Sequence, residues 1–303
     1  RDTIAKYISD KFDEPVTRKN VLVTPGSRFA TYLAMASKLN SNDSILLFQP
    51  AWPAYEHMAS TMGVRVISHC TSFEDHWEPN LAKLKELLDE TVKMIVINTP
   101  NNPTGVIISR RIMNQIAEEA ERIGACVFSD EVYSELTFKP FTSILQTHGR
   151  NRILASSLSK SHGMTGFRIG YVVSDEETIQ KMVSIQSKMI TCVPEFTQYG
   201  SLDAFKSPGQ YLEHVKQEMK SASDALRQLP LEFHEPDGGL YFFPRVKNPS
   251  FDSVNFAQTL LTEKKVAVAP GAAFGEFREY FRLCFSKEKP ILIEAIKRIG
   301  EMI

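Results

Sequence analysis

A helix that crosses a membrane needs roughly 20 consecutive apolar residues, and this chain has no such run. Its longest, such as 44–48 and 94–97, stop far short. No secretion signal opens the chain at Arg1, so a cytoplasmic location is expected and no membrane partner. Blocks of like charge are also missing. The 35 Lys and Arg stand against 36 Asp and Glu, and no basic stripe is laid out for a nucleic acid. Cysteine is scarce: Cys70, Cys126, Cys192 and Cys284 lie far apart, with no CxxC and no Cys/His spacing suited to zinc. They read as reduced, mostly buried thiols, and no metal is expected. No tract is of low complexity, and 303 residues with 43% hydrophobic content suffice for a substantial core and roughly two domains.

What is present is an alternation of short apolar runs with amphipathic ones. Residues 1–12 read as a helix already in progress, with Ile4, Ala5, Ile8 and Phe12 on one face, so a segment upstream is expected. Strands are predicted at 21–23, 45–48, 64–68, 93–98, 125–129, 152–155 and 169–173, with helices at 29–39, 81–88, 110–122 and 175–188. Such alternation argues for a mostly parallel sheet with helices on its faces, and ligands then collect beyond the carboxyl ends of the strands. Further on, helical patterns at 196–205 and 211–229 precede predicted strands at 240–243, 266–269 and 280–285, the stretch PGAAFG, and a last helix at 290–302.

The strand ends carry the chemistry. After 21–23, the turn Thr24-Pro25-Gly26-Ser27 leaves the backbone N–H groups of Gly26, Ser27 and Arg28 for an anion, unless Ser27 merely caps the helix. Trp52 follows the next strand, between Pro50 and Pro53; it either packs a core or lies against a planar ring. Asn98 to Gly105 form a tight turn that aims an amide outward. Asp130, straight after a buried strand, caps a helix or needs a cationic partner or several donors. The stretch ASSLSKSHGMTGFRIGY (155–171) places Lys160 among Ser156, Ser157 and Ser159, with Arg168 behind it. Hydroxyls and a guanidinium suit a phosphate. Lys160 is then a second phosphate contact, an amine nucleophile for a carbonyl, or a plain surface lysine. Arg282, in the half-buried pattern 280–285, is a salt-bridged structural residue or a fork for a carboxylate.

In this order, NTPNNPTG, SDEVY and SSLSK followed by GMTGFRIGY, with QPAWPAY upstream and RLCF near the end, resemble the class I/II aminotransferases of the fold-type I pyridoxal-phosphate enzymes. The resemblance covers nearly the whole chain. It implies an α/β fold: a large domain, 1–210, whose mostly parallel seven-stranded sheet is sandwiched by helices, and a smaller α+β domain, 211–303, reached through the helix at 211–229. It also implies pyridoxal 5'-phosphate as cofactor, an amino acid and a 2-oxo acid as substrates, ping-pong kinetics and a homodimer. Residue by residue, it makes Lys160 the catalytic amine that holds the cofactor as a Schiff base and then moves the substrate's α-proton. Asp130 is implied at the pyridine nitrogen, Asn102 and Tyr133 at the phenolic oxygen, and Trp52 on the ring face. Ser157, Ser159 and Arg168, with the N–H groups at Gly26, Ser27 and Arg28, are implied around the phosphate. Arg282 and Asn102 are implied at the substrate, with Arg282 on its α-carboxylate.

Two other functions stay open on the same fold: a C–S lyase working by β-elimination, and a non-catalytic binding protein. The presence of both Asp130 and Lys160 argues against the second. Family members usually carry, before the helix with which this chain begins, a glycine-containing loop over the substrate and a tyrosine that reaches the neighbouring subunit's phosphate. Ala51 stands where an aromatic is common, and His162 is expected as an exposed loop residue. Arg28 offers a distal carboxylate a cation if it points into the site.

Overall fold

In the computed structural model, which describes residues 1–303, one seven-stranded sheet comprises β1 (Val21–Thr24), β2 (Ser44–Gln49), β3 (Arg65–Cys70), β4 (Val92–Asn98), β5 (Cys126–Asp130), β6 (Arg152–Ser157) and β7 (Gly170–Val173). Their order is β1-β7-β6-β5-β4-β2-β3. The pairs from β3 across to β6 are parallel, and β7 runs antiparallel to both neighbours. Along β2, Ile45 and Leu47 turn to one face and Leu46 and Phe48 to the other, and all four are buried. Strands apolar on both faces need cover on both.

Helices supply that cover. On one face, α1 (Asp2–Phe12), α4 (Leu81–Leu87) and α5 (Arg110–Arg122) bury Ile8, Leu84, Met113 and Ile116 against Leu46, Ile95, Val127 and Leu154. On the other, α2 (Ser27–Lys38), α3 (Ala54–Thr61) and α7 (Glu176–Met189) bury Leu33, Tyr55 and Met182 against Ile45, Val96 and Phe128. The short α6 (Leu158–Ser161) follows β6, and the short α8 (Glu195–Gly200), which has no buried residue, follows α7. Asp175 caps α7, accepting from the Thr178 N–H at 2.8 Å.

A third core gathers α9 (Leu212–Leu226), α10 (Ser253–Lys264) and α11 (Lys289–Gly300) with the small strands β8 (Leu231–Glu232), β9 (Tyr241–Phe242), β10 (Arg245–Val246) and β12 (Phe281–Cys284), and β11 (Ala269–Pro270) pairs with β12 beside it. It also takes in Val132, Tyr133 and Leu136 from the stretch after β5. No helix is long and apolar enough to cross a membrane.

Several expectations change here. The strand expected at 266–269 shrinks to β11, which pairs with β12 over two residues only. The helical pattern at 196–205 breaks into α8 and a 3-10 turn, Asp203–Lys206. Of the four thiols expected to be mostly buried, only Cys126 is; Cys70, Cys192 and Cys284 lie at the surface. On the strands, Cys70 is at the end of the edge strand β3 and Cys284 at the end of β12, where cover runs out.

Candidate active site

Sheet register decides which side chains meet. Asn98 at the end of β4 is level with Asp130 at the end of β5, and Asp130 with Ala155 in β6. Ser157 pairs with Gly170, which pairs with Thr24 of β1. Because β7 runs back along β6, the connection 158–169 leaves and re-enters at one end of the sheet. Lys160 and Arg168 therefore sit at the same end.

That end opens into a cavity of about 450 Å³, a size suited to a cofactor with a small substrate. Ser27, Arg28, Trp52, Asn102, Asp130, Tyr133, Ser157, Ser159, Lys160, Arg168 and Arg282 all line it. Gly26 does not. Its N–H, expected to be free for an anion, donates to the Thr24 carbonyl at 2.8 Å. Gly26 instead allows an approach: at φ 87° it holds a backbone other residues rarely adopt, and a Cβ would run into Nη2 of Arg168. Arg168 is fixed there by donating to the carbonyls of Thr165 at 3.0 Å and Pro25 at 3.2 Å. Ser157 caps α6, its hydroxyl accepting from the Ser159 N–H at 3.4 Å, and Lys160 is half-buried one residue on.

Across the cavity Asp130 is 4% exposed. Its Oδ2 accepts from the Tyr55 hydroxyl at 2.8 Å and its Oδ1 from the Val132 N–H at 3.2 Å. Burial pushes the carboxyl up to about 6; these two donors act the other way, and no cation contributes. Asn98 bridges the strand ends, donating to the Asp130 carbonyl at 3.0 Å and accepting from the Asn102 N–H at 2.7 Å. Of the two turn asparagines, Asn101 closes the turn on Thr104, whereas Asn102 faces the cavity. The Asn102 Oδ1 accepts from Nη1 of Arg282 at 2.7 Å. The Arg282 guanidinium lies over the rings of Tyr241, at 4.3 Å, and Phe274, at 5.0 Å. The Tyr133 hydroxyl donates to that of Tyr241 at 3.2 Å. Trp52 meets Tyr55 edge-on, and the Arg28 guanidinium lies 4.9 Å from the Trp52 ring.

Several lining residues carry no sequence expectation: Tyr55, Asn98, Val132, Thr165 and Tyr241. Tyr55 was findable, because it stands three residues after Trp52 at a helix start and so shares its side. Tyr241 had no local signal, since its strand reaches the cavity only by packing. His162, expected at the surface of its loop, is buried. Its Nδ1 is 2.9 Å from the Ser161 hydroxyl and its Nε2 3.3 Å from the Ser207 carbonyl.

The donor set fits a flat, phosphorylated, cationic ring. An uncompensated buried acid stands among the walls, with Trp52 and Tyr133 aromatic, while Arg168, Ser157, Ser159 and Ser27 offer a guanidinium and hydroxyls to an anion.

Comparison with known proteins agrees with this chemistry. The family model for aminotransferase class I and II matches residues 1–299. An aspartate aminotransferase of Thermotoga maritima is 34% identical over all of this chain and 80% of its own length. A crystal structure of aspartate aminotransferase from Thermotoga maritima superposes with a TM-score of 0.94 at 32% identity, covering 99% of this chain and 80% of that one. An asparagine–oxo-acid transaminase of Streptococcus mutans is 31% identical over 99% of this chain and 80% of its own. An aromatic aminotransferase from Pyrococcus horikoshii superposes with a TM-score of 0.93 at 27% identity, covering 99% of this chain and 83% of that one.

Proposed function

Because the chain belongs to the class I and II aminotransferases and is an aminotransferase, we propose that it moves an amino group between an amino acid and a 2-oxo acid with pyridoxal phosphate in the cavity around Lys160. The observation that carries this is Asp130: a buried carboxyl with two neutral donors and no cation, on the same cavity as an amine and a guanidinium. When bound, pyridoxal phosphate supplies an aldehyde carbon for amino groups and a ring that accepts the electrons left at the substrate α-carbon.

The chain's residues divide the remaining work. With pyridoxal phosphate bound, Lys160 would hold it through Nζ and, freed by the substrate's amine, would carry the proton from the substrate α-carbon to the former aldehyde carbon. Asp130, oriented by the Tyr55 hydroxyl, would hold a proton on the pyridine nitrogen. Asn102 and Tyr133 serve the ring's phenolic oxygen, and Trp52 covers one ring face against water. Arg168, Ser157, Ser159 and the α2 N-terminus at Ser27 and Arg28 bind phosphate. Arg282 takes the substrate's α-carboxylate, its guanidinium held by Asn102. Arg28, exposed and over Trp52, is a further cation on the cavity besides Lys160, Arg168 and Arg282, which favours a dicarboxylic amino acid. The names of the Thermotoga and Streptococcus relatives support that class.

The reading divides the chain into a large part, 1–210, and a smaller one, 211–303, supported by the separate apolar core of α9 to α11. It also makes the molecule a homodimer. Phe196, Tyr199, Met189 and Phe167 are 77%, 67%, 52% and 43% exposed, large apolar side chains that a second copy would cover. Phe167 reaches Gly200 of α8 and adjoins Arg168, so this face borders the phosphate end of the cavity.

The test is to add pyridoxal phosphate to purified protein, reduce with borohydride and map the modified peptide. Label on the peptide bearing Lys160, lost in Lys160→Ala, is expected; labelling that survives the substitution overturns the assignment. Transfer of amino groups from aspartate or glutamate to a 2-oxo acid is expected in the unreduced enzyme, and Arg28→Leu should lower kcat/KM for aspartate about 10- to 100-fold. Release of pyruvate and ammonia from cystathionine without transfer would instead mark a lyase.

A further inference from the structure

The stretch PGAAFG, 270–275, takes none of the roles above, yet it contacts two elements that carry cavity-lining residues, the strand of Arg282 and the loop of Trp52. Through β11 it is paired to the strand of Arg282: Ala269 is opposite Arg282, and the Gly271 N–H donates to the Tyr280 carbonyl at 2.8 Å. Its far end lies on the loop that carries Trp52. The Phe274 carbonyl accepts from the N–H of Ala51 at 3.1 Å, and a Cβ on Gly275 would come within 2.9 Å of Gln49 Oε1.

Between those anchors the Phe274 ring is 3% exposed and packed edge-on to Phe243, in a cluster with Trp77 and Tyr280. The Arg282 guanidinium lies 5.0 Å from this ring and 4.3 Å from the Tyr241 ring. Its Nη1 is taken by Asn102. A guanidinium is weakly hydrated on its faces and donates from its edge. Two rings within 5.0 Å and an amide on Nη1 leave its other N–H groups for a carboxylate, with rotamer freedom already restricted before binding.

We propose that Phe274 is a positioning residue, whose ring fixes the Arg282 fork while its backbone keeps that fork in register with the Trp52 loop. The proposal rests on the reading that Arg282 takes the substrate's α-carboxylate. Without the aromatic face, Arg282 still reaches Asn102 but must be ordered by each substrate as it binds. The loss therefore appears in substrate affinity, and only for ligands that carry the carboxylate.

The test compares wild type, Phe274→Leu, Phe274→Tyr and Arg282→Ala as holoenzymes. Amino transfer is measured with L-aspartate and with β-alanine, which is aspartate without its α-carboxylate, and succinate binding by calorimetry. Phe274→Leu should raise KM for aspartate about 3- to 30-fold and weaken succinate by the same factor. It should leave kcat within about twofold and leave β-alanine unchanged; Phe274→Tyr, which keeps the ring face, should restore aspartate. Equal losses for aspartate and β-alanine, unchanged KM and succinate affinity, or a Phe274→Tyr as impaired as Phe274→Leu would overturn the proposal. Arg282→Ala separates the two levels. If it collapses the aspartate preference and Phe274→Leu does not, Phe274 alone is misassigned; if it leaves the preference intact, the carboxylate assignment falls and the Phe274 proposal with it.

Discussion

Burial pushes the Asp130 carboxyl up to about 6, against an ordinary 3.8, and that of the adjoining Glu131 up to about 7, against 4.5. Glu131 faces away from the cavity. Its Oε1 accepts from Ser129, Ser143 and the Ile144 N–H, while its Oε2 has no partner. For both acids the folded state binds its proton more tightly than the unfolded state does. Without cofactor, each contributes a penalty that is absent below the unfolded value and grows as pH rises through the folded one. Asp130→Asn should therefore gain stability over wild type between pH 4 and pH 7, by on the order of 3 kcal/mol. Urea unfolding without cofactor at several pH values checks this, and a difference that stays flat across the window would remove the burial account. With pyridoxal phosphate bound, the cation at Asp130 should reverse the order and leave wild type the more stable. Asp130 was legible from sequence as an acid at a strand end; its service by Tyr55 was not, because that contact joins β5 to α3 across the sheet.

Among the elements, β1 and β7 do most to shape the anion end of the cavity. Gly170 opens β7 against the β1–α2 turn so closely that a Cβ would sit 2.6 Å from the Ser27 N and closer still to Gly26. Both obstacles are backbone, which cannot rotate aside. Gly170→Ala and Gly26→Ala should each destabilise the fold by about 1–3 kcal/mol and weaken pyridoxal phosphate binding. Gly163 is the control: at φ 63° but with nothing within 4 Å of a Cβ, it should cost only about 1 kcal/mol of backbone strain and spare the affinity. Thermal unfolding and cofactor titration of the three variants distinguish steric from conformational cost. The elements themselves were largely legible. The pattern predicted α5 at its observed bounds, because its apolar residues recur at helical spacing on one buried face. β11 and α8 were not, since elements this short are held by their neighbours.

For the whole molecule, the large apolar side chains left at the surface are the feature that bears on assembly. Phe196 and Tyr199 on α8 should be covered by a second copy, so Phe196→Asp should shift sedimentation from dimer to monomer and lower activity with it. A wild-type chain that sediments as a fully active monomer would rule this out. The domain-scale outline was readable because strands buried on both faces must be continuous apolar runs, and β1, β2, β3, β4 and β7 are each followed by a helix of the covering layers.

By itself the sequence determined the α/β class and the site-bearing strand ends, for a local reason. Periodicity records which face of an element is buried, and a strand end in such a sheet marks where a ligand lies. It also carried the ordered motifs that placed the chain in its family. Only the tertiary structure decided that Gly26 uses its own N–H and makes room for Arg168, that His162 is buried, and that Tyr55 holds Asp130. The same holds for Arg282, clasped by Asn102, Tyr241 and Phe274. Except for Gly26's own bond to Thr24, these are contacts between residues separated in sequence and brought together by sheet register and packing. Such pairings leave no periodic trace along the chain.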